Sequence, residues 1–117
     1  MKYNFPIIFT LDEDGGYVAQ SYDMKNCITG GNTFEEALFM AEDALNAMLW
    51  YYEDVHEKNK IPIPTPIEDV KLNEGEIVKM IHADTEAYAK KMAEIEASTK
   101  VTHEAENWSI EHIEANI

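Results

Sequence analysis

The sequence predicts an α+β fold in which three antiparallel strands, a helix, a fourth strand and a second helix follow in the order β-β-β-α-β-α. Three observations carry it. An apolar run near the start is turned back by a glycine pair, one long stretch has helical periodicity, and a proline-rich connector leads into a second alternating run. The expected architecture is a three-stranded meander with a fourth strand and the helices packed on one face. At 117 residues the chain suits one domain with a real core and is short for two. Residues 1–94 hold the patterned elements, and 95–117 are set apart as an acidic tail.

The first strand is read over Asn4-Phe5-Pro6-Ile7-Ile8-Phe9-Thr10-Leu11 and the second over Tyr17-Val18-Ala19-Gln20-Ser21-Tyr22. Between them Asp12-Glu13-Asp14-Gly15-Gly16 forms a turn, since both glycines can take positive φ without steric cost. The three carboxylates then stand exposed at its tip. Asp23-Met24-Lys25-Asn26 makes the next turn and Cys27-Ile28-Thr29-Gly30 a short third strand.

Thr33 followed by Glu36 is a capping-box pair, so a helix should begin at Phe34. Phe34, Ala37, Leu38, Ala41, Leu45, Met48, Leu49 and Tyr52 recur at three- and four-residue spacing and form its core face. Glu35, Glu42, Asp43, Asn46 and Glu53 fall elsewhere. Methionines and aromatics at this spacing are read as packing, with no cofactor. The prolines of Ile61-Pro62-Ile63-Pro64-Thr65-Pro66 forbid helix and make an extended connector. A fourth strand follows over Glu76–His82, and after a helical crossover it can lie parallel to an earlier strand. Asp84-Thr85-Glu86 can cap a second helix through Met92-Ala93. Beyond it, a brief alternation over residues 98–103 and a short amphipathic stretch over 108–113 are the remaining patterns.

Charge narrows the partners. The chain has 23 acidic residues against 9 basic ones, a net charge of −14, and every basic residue is a lysine. Without arginine there are no bidentate forks for guanine or phosphate, and the field of the molecule repels nucleic acid. An acidic surface suits a basic protein, although the same charge also serves solubility. The lone Cys27 excludes an intramolecular disulfide framework and fits a reducing compartment, where it is read as a buried structural thiol. No apolar run approaches the roughly twenty residues of a membrane helix. The expected location is cytoplasmic.

Asp12, Asp14, Asp23 and Glu36 invite a two-metal nuclease reading, because such chemistry needs converging carboxylates. Their placement opposes it: two lie at a hairpin tip, Glu36 belongs to a cap, and no strand interior sets one carboxylate opposite another. His56, His82, His103 and His112 have no metal-ligand spacing. No metal, cofactor or enzymatic activity is expected.

In order, the apolar strand, Asp12-Glu13-Asp14-Gly15-Gly16-Tyr17-Val18, Cys27-Ile28-Thr29-Gly30-Gly31-Asn32-Thr33, Glu35-Glu36-Ala37 and Ile61-Pro62-Ile63-Pro64 resemble the HicB antitoxin family. The resemblance runs from the start to about Ala93, and Asn26 stands where the family usually shows glycine. It implies a partial ribonuclease-H-like fold that binds and neutralises a small basic HicA-type toxin, itself a messenger-RNA-cleaving protein. From the exposed acidic rim, the expected contact uses the hairpin and its neighbours: Asp12, Glu13, Asp14, Tyr17, Tyr22 and Asp23. Family members often add a C-terminal ribbon-helix-helix or helix-turn-helix that binds operator DNA. Thr99-Lys100-Val101-Thr102 looks like the start of a ribbon, but an acidic continuation without arginine is poorly suited to DNA, so the tail is read as truncated or altered. An exposed sheet edge makes a homo-oligomer an expectation. The alternative is an orphan interaction module of the same fold.

Overall fold

Lys2–Leu11 forms the longest strand, β1, and occupies the interior of the sheet. The structure is a computed structural model that describes residues 1–97. The strand-like stretch at 98–103 and the helical one at 108–113 lie outside the described residues, as do His103, His112 and most of the tail. The first compact unit is Met1–Thr85; the second starts at Glu86 and its described part is helical, the helix (α2) running over residues 85–97.

Three further strands, β2 (Tyr17–Ser21), β3 (Ile28–Gly31) and β4 (Glu76–Asp84), complete an antiparallel sheet of order β3-β2-β1-β4. The helix α1, Phe34–Asp54, packs on one face. Alternation in β1 sends Phe5, Ile7 and Phe9 toward that helix, where they meet Ala37, Ala41, Leu45 and Leu49 in a single core. Ala19, Ile81 and Ala83 extend the core along the neighbouring strands.

Pro6 sits inside this central strand, where a missing N–H normally costs a ladder bond. Here it lies just past the last paired residue of β2: the register ends at Ile7 opposite Ser21, and the Pro6 carbonyl accepts from Tyr22 N–H at 3.1 Å. The absent donor therefore faces the end of β2, and no strand interior is left unpaired.

The parallel placement that a helical crossover allows is not the one adopted: β4 pairs antiparallel to β1 from Lys2–Asp84 to Thr10–Glu76. The reason lies in the connector. A helix alone would return the chain parallel to β3 and hence to β1. The proline-rich segment instead adds one more traverse, and that reverses the direction of the next strand. Asp23 anchors this traverse by accepting from the Thr65 N–H at 3.0 Å and from its hydroxyl at 2.6 Å. Lys71 and Asn73 then pass over the sheet face opposite α1, beside Ile8, Val18 and Gln20.

Both ends of α1 are set by local chemistry. Thr33 adopts an extended conformation and its hydroxyl accepts from Glu36 N–H at 3.1 Å, the threonine half of the expected capping box. At the other end Glu57 N–H reaches the Tyr52 carbonyl at 2.8 Å and His56 N–H the Glu53 carbonyl at 3.3 Å, with His56 in the left-handed region at φ 58°. That is a Schellman closure with histidine where glycine is usual.

Asn46 was expected on the polar side of α1. It is instead buried, its amide donating to the Glu42 carbonyl at 3.0 Å and its carbonyl oxygen accepting from Asp84 N–H at 3.0 Å. A buried amide is tolerated because both of its ends are used. It joins the middle of α1 to the last residue of β4.

Candidate functional site

The hairpin between β1 and β2 is closed by Gly15 N–H donating to the Asp12 carbonyl at 3.0 Å, and by Asp12 N–H donating to the Gly16 carbonyl at 2.7 Å. Gly15 takes φ 90°, while Gly16 does not, so the expectation of two positive-φ glycines holds for the first alone. Gly16 answers a different demand: a Cβ there would lie 2.8 Å from the Gly31 carbonyl oxygen. Asp12, Glu13 and Asp14 are all exposed at the tip, with the Asp12 carboxylate also accepting from Glu13 N–H at 2.9 Å.

The six residues expected at the partner contact do not converge on one patch. Tyr17 turns toward α1 and meets Phe34 edge-on, ring centroids 5.3 Å apart, so its ring is largely accounted for by packing. Phe34 makes a second such contact with Phe9 at 5.2 Å. Tyr22 and Asp23 stand beyond the far end of β2, about 17 Å of strand from Tyr17. Both are half-buried, and the Asp23 carboxylate is engaged by Thr65. The hairpin carboxylates are the part of the set that is fully presented to solvent.

Glu36 stands exposed in the first turn of α1, where its N–H donates to the Thr33 hydroxyl at 3.1 Å. Among the described residues no group of three or more His, Cys, Asp or Glu side chains is placed to hold a metal ion. His82 stands exposed, its Nδ1 3.1 Å from the Asn4 Oδ1. Cys27 is buried in the core, and burial pushes its thiol up from the ordinary value, so it is a poor thiolate source. No helix among the described residues is long and apolar enough to cross a membrane.

Periodicity alone missed the charge on α1. The helix carries Glu35, Glu36, Glu42, Asp43, Glu53 and Asp54 and no lysine, arginine or histidine. Lys60 pairs with Glu57 at 2.7 Å, outside the helix. The signal was present in the sequence as 21 consecutive residues without a cation.

Comparison with known proteins agrees with this geometry. Residues 4–80 match the model of the HicB-like antitoxin of bacterial toxin–antitoxin systems. Antitoxin HicB 1 of Photorhabdus laumondii is 35% identical over 102 residues, covering 83% of this chain and 62% of that protein. Antitoxin HicB of Escherichia coli K12 is 36% identical over 64 residues, covering 54% of this chain and 44% of that protein. The chain thus matches about half to three-fifths of the length of these relatives. Among solved structures, a toxin–antitoxin complex from Streptococcus pneumoniae superposes with a TM-score of 0.66 at 20% identity, covering 75% of this chain and 73% of that one. The N-terminal domain of Burkholderia pseudomallei antitoxin HicB gives 0.61 at 16% identity, covering 68% and 95%. At those identities the structures speak for the fold, and the family match speaks for descent: the chain belongs to the HicB-like antitoxin family.

Proposed function

We propose that this chain is the antitoxin of a toxin–antitoxin pair, binding a small basic HicA-type toxin that cleaves messenger RNA and neutralising it by protein–protein contact. The observation that carries this reading is the acidic surface: the exposed carboxylates of Asp12, Glu13 and Asp14, and an α1 without a single base, in a chain of net charge −14. Such a surface attracts a cationic RNA-binding face and speeds its encounter. Family membership supports the same partner, and the similar solved structures include the HicA3 and HicB3 toxin–antitoxin complex. The chain acts without chemistry of its own, in the cytoplasm where its partner finds messenger RNA.

The edges of the sheet, β3 and β4, also support self-association by strand pairing, which light scattering on the isolated chain tests.

The deciding experiment is co-expression with a small basic HicA-type toxin, taken from the neighbouring gene where one is encoded there. Growth arrest by that protein should be relieved, and the two should co-purify. Persistent arrest with no co-purification overturns the reading and leaves an orphan interaction module. Reversing Asp12, Glu13 and Asp14 to lysine should slow association and flatten its salt dependence; unchanged binding removes the hairpin from the contact.

A further inference from the structure

A groove of about 470 Å³ runs between β3 and the second half of α1. Ala44, Ala47, Met48 and Tyr51 line its helix side, and Asn26, Cys27 and Ile28 the strand side. Its floor is low because two alanines stand three residues apart, where larger side chains would fill the space. Its rim is open and, Asn26 apart, apolar: Ile28 and Tyr51 are each 56% exposed, and Met40, one turn before Ala44, is 36% exposed. Tyr52 closes the end, its ring 5.9 Å from that of Tyr51. Exposed apolar side chains that adjoin a groove are more informative than the same residues scattered singly.

Beside the groove runs a row of carboxylates. Glu36, Asp43 and Asp54 are separated by seven and eleven residues, close to two and three whole helical turns, so they fall on one line of α1 to within about 20°. The line passes beside Met40, Ala47 and Tyr51, each three or four residues from one of its members. No lysine, arginine or histidine on α1 neutralises it.

We propose that this groove anchors the basic partner: apolar side chains of that protein seat between Ile28 and Tyr51 while its lysines or arginines lie along Glu36, Asp43 and Asp54 and over the Tyr51 ring. The inference rests on the antitoxin reading above and assigns it a second surface, apart from the hairpin. Charge selects the occupant. A second copy of this chain would bring the same row of carboxylates and the same net charge of −14 to the contact, whereas a basic protein brings the complement. Cations over tyrosine faces add attraction, more so once the contact is desolvated. The two surfaces then divide the work. Exposed hairpin charges set the rate of encounter, and the desolvated groove sets the lifetime of the complex.

The test is binding kinetics of the full chain with that same HicA-type toxin, purified, using Ala47→Glu and Tyr51→Glu. Each should raise the dissociation rate by about tenfold or more while the association rate changes far less. Tyr51 is largely outside the core, so its variant should keep the wild-type circular dichroism and melting temperature and serves where Ala47→Glu fails to fold. Wild-type dissociation rates in the folded Tyr51→Glu chain overturn the groove and leave the antitoxin reading intact. A wild-type chain that does not bind at all overturns the antitoxin reading itself. If Tyr51→Glu instead dissolves a dimer of the isolated chain and leaves partner binding unchanged, the groove belongs to a second copy and the proposal fails.

Discussion

Asp23 holds Thr65 through two hydrogen bonds, one from the backbone N–H at 3.0 Å and one from the hydroxyl at 2.6 Å. The contact ties the turn after β2 to the proline-rich connector 42 residues later, and thereby fixes the traverse that makes β4 antiparallel. Hydrogen bonds to a charged acceptor contribute more than neutral ones, and a half-buried donor left unmet adds its own cost. Asp23→Ala is expected to destabilise the fold by about 1–3 kcal/mol, read as a lower urea midpoint with an unchanged slope. Association with the basic partner should change little once the fraction folded is accounted for. A faster loss of association than of stability would instead return Asp23 to the contact surface.

His56 closes α1 from the left-handed region, which a side chain with a Cβ enters at a cost of about 1 kcal/mol. Glycine pays no such steric penalty there. His56→Gly should therefore raise stability by up to about 1 kcal/mol and the melting temperature by several degrees, measured by calorimetry. A lower melting temperature would show that the exposed imidazole makes a contribution larger than the strain it carries.

Gly31 ends β3 where the strand passes the first turn of α1. A Cβ there would lie 2.5 Å from Ala37 N and 2.8 Å from the Glu36 carbonyl carbon, both backbone atoms that cannot rotate away. Gly31→Ala should force the strand and helix apart and cost about 1–3 kcal/mol or more. Hydrogen exchange should show the loss first at the start of α1 and along β3, and protection retained there would contradict the close approach.

The parts of the fold that were legible in the sequence are those set by local chemistry. Thr33 announced the start of α1, and the period of Ala37, Ala41, Leu45 and Leu49 gave its buried side. The direction of β4 was not legible, because it depends on how often the chain crosses the molecule between elements, which no local pattern encodes. Asn46 was misplaced for a related reason: its burial is licensed by Asp84, 38 residues away, and polarity alone assigns such a residue to solvent. The acidic hairpin was legible as a turn, yet Tyr22 and Asp23 could be grouped with it only while the length of β2 was left out. The groove escaped notice because Met48 satisfies the core period whether it packs inward or borders an opening, and because Ala44 and Ala47 are too small to announce the space they leave.

Tyr3 donates its hydroxyl proton to Glu53 Oε2 at 2.6 Å, linking the start of β1 to the end of α1. Burial of the phenol, then the hydrogen bond and the charge of Glu53, push its pKa from 10.0 to about 12. The protonated phenol is thus favoured by folding. The stability it contributes is complete below pH 10, and it is lost as the pH rises through the folded value near 12, because the unfolded chain releases this proton first. Of the six tyrosines, Tyr3 should ionise late in an ultraviolet titration of tyrosinate, and Tyr3→Phe should remove that late step. Glu53→Gln should move the step downward without restoring the ordinary value, since burial remains the largest cause. If the late step survives Tyr3→Phe unchanged, another tyrosine carries it, and the link between β1 and the end of α1 is weaker than its geometry implies.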